Sequence, residues 1–387
     1  MKKMKQNISN LNSKNWFVYV FLLIPFFDIS YLLNSFPITE KIFDIWLLIS
    51  IFFLILLFCK DKKYSKILNY IFLYFAILIF STFINGISLL GCVRYSLKAV
   101  GLCFLTDYGI RNDTKSFLNS LEFWLGFLVI SNFISLLLFP DGMYTNGNFT
   151  NNWILGYKNS HILYILPLIM ISLINSYYTY GKFSKKNWLL IILAILSLII
   201  AESSTSLIGI FLVTALIIYD ENFKSTRILN IKNYFIAYII LFFSIVILRI
   251  QNIFKFLIVD TLHKDLTFTS RTLIWDKALE IIKIQDIFGK GMTAFGFSES
   301  ITSTHNLILN VLYQTGIIGL IACLWAQIVS VRELYKIREY KIAKIISIVL
   351  FSFFIMMITE AYSLQYVMYL YVFAYNAKYF IRKLGDS

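Results

Sequence analysis

His305 stands directly before Asn306 and a long apolar run, where a loop meets a helix. Unperturbed imidazole titrates near neutrality, so at such a junction it can take a proton from a hydroxyl. A lone histidine is as readily structural. His263 lies in the same loop, and His161 opens another apolar run and reads as its cap. Arg271 opens an amphipathic segment. Its guanidinium offers planar paired donors that match phosphate oxygens, although by itself it is equally a surface charge. Arg94 and Lys98 fall one turn apart inside an apolar run, and Asp28, Arg249 and Glu360 lie near the ends of others. A charge at membrane depth costs roughly 3 kcal/mol or more, so it faces a polar cavity or a partner. Arg94 can pair with Asp28, and Arg249 can reach the interface along its stem. Two adjacent cations with few acids near them instead suit a bound phosphate, which makes Arg94 and Lys98 candidate diphosphate ligands.

Other chemistries find no footing. The chain has no Walker loop, no GxGxxG after a strand, no HExxH and no paired Cys/His set. The acids Asp141, Asp260, Asp265, Asp276, Glu280, Asp286 and Glu299 include no DxD, so no metal site is expected. Cys59, Cys92, Cys103 and Cys323 form neither a CxxC nor a paired framework and read as small core residues.

The elements that must position these groups are membrane spans. Apolar residues make up 59% of the 387 positions and charged residues only 14%, where a soluble domain carries roughly a quarter charged. Runs such as Trp46–Cys59 and Asn233–Leu248 have no polar face to turn to water and suit a hydrocarbon core about 30 Å thick. About twelve spans are predicted, at 16–35, 42–59, 67–86, 88–109, 117–139, 160–180, 188–202, 204–220, 233–250, 306–330, 344–362 and 364–381. The pair meeting at Ala201–Ser206 can alternatively be one re-entrant element. The Lys-rich start lacks a small-residue cleavage site before the first run.

The formal charge of +14 would suggest nucleic acid on a soluble protein. Here lysines and arginines gather in alternate connecting segments, including Lys60–Lys66, Lys182–Lys186 and Arg332–Lys344, while the opposite short loops hold only Lys41 and Lys158. That bias predicts both termini in the cytoplasm and no nucleic-acid partner. One transmembrane domain spans 1–387, with a large outer loop at 251–305 and a medium one at Asp141–Asn159 that reads as a solvated connector. Within the large loop, Ile274, Ala278, Ile281 and Ile282 share one face of a helix stopped by Gly289-Lys290-Gly291. Such a helix is expected along the outer membrane surface.

The stretch Ser270–Leu320 resembles the signature of the O-antigen ligase and Wzy-type polysaccharide polymerase superfamily. The matching features are Arg271, Ile274–Trp275, Gly289 and Gly291, His305–Asn306, and Gly316 with Gly319. GYKNSHILYILPL at Gly156–Leu168, with Lys158 and Asn159, and ITEAY at Ile358–Tyr362 extend it. One departure is the segment Glu202–Ile210, where Ser and Thr replace an arginine common in the family; Arg249, Arg94 or Lys98 can supply that charge. The resemblance implies an all-α, GT-C-like polytopic protein of the bacterial cytoplasmic membrane. It implies transfer of a glycan from undecaprenyl diphosphate to a sugar hydroxyl on another lipid-linked repeat unit, without nucleotide or metal. Membrane lipid, a flippase and a chain-length regulator are the expected partners.

In that scheme Arg271, helped by Arg94, Lys98 and Arg249, stabilises charge growing on the diphosphate. His305 is the general base and Glu360 orients or charges it. Lys158, Asn159, Gly289, Gly291 and Asn306 complete the expected substrate contacts. Two alternatives stand beside a polymerase: a ligase delivering the glycan to a different acceptor, and a lipid-linked oligosaccharide flippase. Transporters tend to show repeated halves and helices broken by Gly or Pro; this chain has 16 Gly, 4 Pro and no repeat. A non-catalytic scaffold is the remaining reading.

Overall fold

Inside a bilayer the backbone has no water to pair with, so runs this apolar must satisfy their amides within helices. The computed structural model describes residues 15–147, 149–223, 229–250, 271–284, 287–293, 295 and 303–385. It begins with α1 (Trp16–Leu23), which tightens into a 3-10 turn at Ile24–Phe26. Next come α2 (Ser30–Ser35), α3 (Pro37–Asp61), α4 (Ile67–Ile84), α5 (Leu89–Asn112) and α6 (Thr114–Leu138). Strands β1 (Tyr144–Asn146), β2 (Phe149–Trp153) and β3 (Gly156–Tyr157) follow. Then come α7 (Ile162–Tyr180), α8 (Lys185–Ile200), α9 (Ser204–Phe223) and α10 (Ile231–Phe242), the last running on as a π turn to Ile247. The remainder is α11 (Arg271–Ile284), α12 (Leu307–Tyr335), α13 (Lys341–Met356), α14 (Gln365–Asn376) and α15 (Lys378–Gly385). His263, most of the 251–305 loop and the Lys-rich start lie outside the described residues.

The protein is helical and polytopic. Among the described residues, seven helices are long and apolar enough to cross a membrane: α3 to α6, α7 with its preceding turn, α9 and α12. The expected count of twelve is not reached, because five expected spans fall on shorter helices. The 16 residues of α8 or α13 rise only ~24 Å, short of the core. Two of the breaks have polar causes. The first expected span stops at Phe26 before Asp28, and the span expected over 344–362 stops at Met356 before Glu360. The Ala201–Ser206 region resolves as two helices with a left-handed Glu202 between them.

The all-α expectation holds for the bundle, while the medium loop, read as a solvated connector, carries a small sheet. There β1, β2 and β3 form an antiparallel meander, with Tyr144 opposite Asn152 and Trp153 opposite Gly156. Gly147, at φ +56, supplies the turn after Asn146. Gly142, at φ +98, passes so near β2 that a Cβ there would lie 2.8 Å from the Asn151 Cα.

Helices α7 and α14 form the interior. Every residue of α14 except Tyr375 is buried, and it packs against α5 and α12. By contrast α3 exposes Ile38, Ile45, Leu48 and Phe52, an apolar face suited to lipid. Helix α12 packs on α4 and breaks its helical path at Gly316, whose φ 62 and ψ −164 lie outside any helix. Charges buried in the interior are paired. Asp107, fully buried, accepts from Arg111 at 2.9 Å, Asn376 Nδ2 at 2.8 Å and the Ser65 amide at 3.2 Å, joining α5, α14 and the start of α4. Asp220 pairs with Lys341 and Lys344, each at 2.8 Å.

Candidate active site

Glu360 is buried in the non-helical stretch between α13 and α14. Its Oε1 accepts from Arg271 Nη2 at 2.6 Å and from Asn159 Nδ2 at 3.1 Å, and its Oε2 lies 3.5 Å from His305 Nδ1. The structure thus brings together Arg271, His305, Glu360 and Asn159 from four separate parts of the chain. An isolated buried carboxylate would be costly; a guanidinium at hydrogen-bond distance removes most of that penalty.

His305 is held at φ +48, in a left-handed conformation uncommon for histidine. Its neighbour Asn306 explains how. The Asn306 Oδ1 caps α12 by accepting from the Leu309 amide at 3.0 Å, while its Nδ2 donates to the Ile358 carbonyl at 2.9 Å. The Leu307 amide also donates to the Met357 carbonyl at 3.1 Å. Asn306, fully buried, therefore fastens the His305 turn to the stretch that carries Glu360. What the geometry gives Asn306 is a positioning role, in place of the expected substrate contact. With Nδ1 facing Glu360, Nε2 is the nitrogen left to receive a proton.

Arg271 opens α11, whose Ile274, Trp275 and Ala278 are buried. The apolar face expected to rest on lipid is covered by protein at these positions, and α11 packs on α12. Arg249, also left-handed at φ +54, stacks over Trp275 at 5.2 Å. It pairs with Asp276 at 2.5 Å and donates to the Thr272 carbonyl at 3.1 Å. It clamps the first turn of α11, the turn that presents Arg271.

At the far end of α11, Gly289 and Gly291 have φ near +70 and pack tightly. A Cβ at Gly289 would lie 2.6 Å from the Gly316 nitrogen, and one at Gly291 2.6 Å from the Thr82 Cα. The Lys290 and Gly291 amides donate to the Tyr313 and Gln314 carbonyls at 2.7 and 2.9 Å. Close packing, against the kink in α12 for Gly289 and against α4 for Gly291, accounts for both glycines where the expectation was substrate contact.

Arg94 and Lys98 need no external anion. Arg94 pairs with both Glu40 and Asp44, and Lys98 pairs with Asp28. The expectation of few acids near them is corrected, because α3 packs on α5 and carries both acids that face Arg94. Asp28 is further held by Tyr366, whose hydroxyl donates to Oδ2 at 3.1 Å. His161 is buried in a structural link: Asn132 Nδ2 lies 3.4 Å from its Nδ1, and its Nε2 lies 3.1 Å from the Gly156 carbonyl.

Sequence reasoning missed Ser203. Its Oγ donates to Asn159 Oδ1 at 3.0 Å and lies 2.7 Å from Ser206 Oγ. These serines occupy the segment where the family arginine was missed, so that segment braces Asn159 by hydrogen bonds. Lys158 lies beside Tyr157, 6.0 Å above its ring. Burial, and then the Glu360 charge, push the Tyr157 phenol up from its ordinary range.

A buried carboxylate paired with a half-buried arginine and faced by a half-buried histidine, in a helical membrane-spanning bundle, defines a class: a polytopic membrane protein with an Arg–Glu–His cluster. A model of the family described as O-antigen ligase matches residues 189–324, about a third of the chain. The match takes in Arg271, Gly289, Gly291, His305 and Asn306, and supports a likeness of this part of the chain to the O-antigen ligase/Wzy-type superfamily. No curated protein matches the chain.

Proposed function

We propose that the chain is a Wzy-type polysaccharide polymerase. It transfers a glycan from undecaprenyl diphosphate to a hydroxyl on the terminal sugar of another lipid-linked repeat unit, on the outer face of a bacterial plasma membrane. The observation that carries this reading is the convergence of Arg271, His305 and Asn159 on Glu360. Arg271 stabilises negative charge on the departing diphosphate more as the sugar–oxygen bond breaks than before it. The acceptor oxygen attacks the anomeric carbon, its proton passes to His305 Nε2, and the bonding pair leaves on the diphosphate. Glu360 keeps Nδ1 facing it and stabilises the imidazolium that results. Arg249 and Asn306 act through the residues they hold, and Lys158 serves the glycan. Arg94 and Lys98 serve the fold through their acids.

Transfer to a different acceptor, as the matched family's description suggests, is the second reading. The test compares carrier-linked glycan length in cells with the unaltered chain, His305→Ala and Arg271→Ala, at matched membrane abundance. Collapse of long ladders to single repeats in both variants supports the polymerase. Ladders that persist on deletion of the gene while another acceptor loses its glycan select the ligase. Glycan building up on the inner leaflet selects a flippase.

A further inference from the structure

Resting on that reading, we infer that the hollow beside the Glu360 cluster is a subsite for a neutral or amino-bearing sugar of the transferred or receiving glycan. The hollow measures about 290 Å3 and lies between the meander and the turn joining α8 to α9. That is the low end of small-molecule pockets and leaves room for about one sugar ring.

Its lining has the two characters a sugar requires. Phe149 and Tyr157 lie ring to ring with centroids 4.3 Å apart, and Phe149 stays 43% exposed. Trp153 is buried, fixed by its indole N–H donating to the Phe139 carbonyl at 2.7 Å. An aromatic surface of this kind receives the C–H face of a pyranose. Around it stand Asp141, Glu202 and Lys158. Carboxylates accept from hydroxyls or an ammonium, and an ammonium donates to ring substituents. Two acids against one base repel a diphosphate, which is drawn instead to Arg271.

Two one-residue steps join the hollow to the cluster. Lys158 precedes Asn159, which donates to Glu360, and Glu202 precedes Ser203, which donates to Asn159. Glu202 is exposed at the rim and left-handed, at φ +55. A bound ring would therefore sit beside the reacting centre, where it decides which sugar is presented.

The test uses the full chain in lipid nanodiscs and the repeat-unit oligosaccharide released from its carrier by mild acid. Binding is titrated by saturation-transfer NMR, which does not depend on turnover. Phe149→Ala and Glu202→Gln are each expected to weaken binding about three- to tenfold, and Arg271→Ala to leave it unchanged. Glu202→Gln keeps size and shape at an exposed position, and an unchanged melting midpoint in the nanodisc checks that its effect is not loss of the fold. In transfer assays both variants raise KM with kcat held. A raised acceptor KM assigns the hollow to the receiving glycan, and a raised donor KM to the transferred one. Binding that neither variant changes, or none by the unaltered chain, overturns the subsite. Binding that depends on both residues without any transfer by the unaltered chain retains the subsite and removes the polymerase reading.

Discussion

At the scale of single residues, the cluster turns on how one carboxylate divides its two oxygens. Glu360 Oε1 takes both Arg271 and Asn159, and Oε2 alone faces His305. The 3.5 Å gap to His305 Nδ1 is longer than a hydrogen bond, and that nitrogen has no hydrogen-bond partner among the described residues. Catalytic hydrogen bonds commonly tighten when substrate arrives. Glu360→Gln keeps the size of the side chain and removes the charge. Without that charge the imidazolium formed in the transition state is less stabilised, and since about 1.4 kcal/mol is tenfold in rate, kcat is expected to fall about tenfold or more. Because Arg271 also loses its counter-charge, donor KM is expected to change with it. Steady-state kinetics on purified protein checks both, and a kcat equal to that of the unaltered chain removes Glu360 from the mechanism. Arg271, His305 and Glu360 were legible because their types carry the chemistry and their positions break apolar context. The Ser203–Asn159 link was not, because it joins positions 44 apart and a serine at a helix start has an ordinary local explanation.

At the scale of elements, the kink in α12 does the positioning. The sequence reads 306–330 as one apolar span, and its Gly-xx-Gly registers only as a pattern. A kink depends on what lies opposite it, and here that is the backbone around Gly289. Ser81 Oγ donates to the Gln314 carbonyl at 2.8 Å and also reaches the Phe288 carbonyl, so α4 closes the same joint. The joint fixes the exit of α11 against the helix whose other end carries Asn306 and follows His305. Arg271 and His305 are thereby referred to one rigid element. Gly316, with φ 62 and ψ −164, occupies a region open to essentially glycine alone. Gly316→Ala is expected to cost about 1–3 kcal/mol and to lower the midpoint of thermal unfolding in detergent. Activity should fall further than this loss of stability implies, since Arg271 moves relative to His305. An alanine variant with unchanged melting and activity would show that the joint is not needed.

At the scale of the molecule, hydrophobicity made the membrane bundle legible, while the number of full-length spans was not. Charge-free runs mark where helices form, but Asp28 and Glu360 end theirs early because each is drawn to partners inside the protein. The meander stayed hidden because Asn and Gly suit a turn in a connector as well as in a hairpin. The two ends of the bundle differ in a way that tests sidedness. The meander and the Glu360 cluster lie at one end of α7. Gly181 at the other end lines a cavity of about 550 Å3 with Glu339 and Lys341. Lysine and arginine enrichment in the segments at this second end predicts that it faces the cytoplasm. Thr145 in β1 and Glu339 are both exposed, so a cysteine at either can be reached by a membrane-impermeant maleimide. Cys59 is exposed while Cys92, Cys103 and Cys323 are buried, so the background needs only Cys59→Ser. Thr145→Cys is expected to label in intact cells and Glu339→Cys only after permeabilisation. The reverse pattern would put Arg271 and His305 in the cytoplasm, on the leaflet where lipid-linked units are built. Polymerisation of exported repeats could not then be their reaction, even with the cluster itself intact.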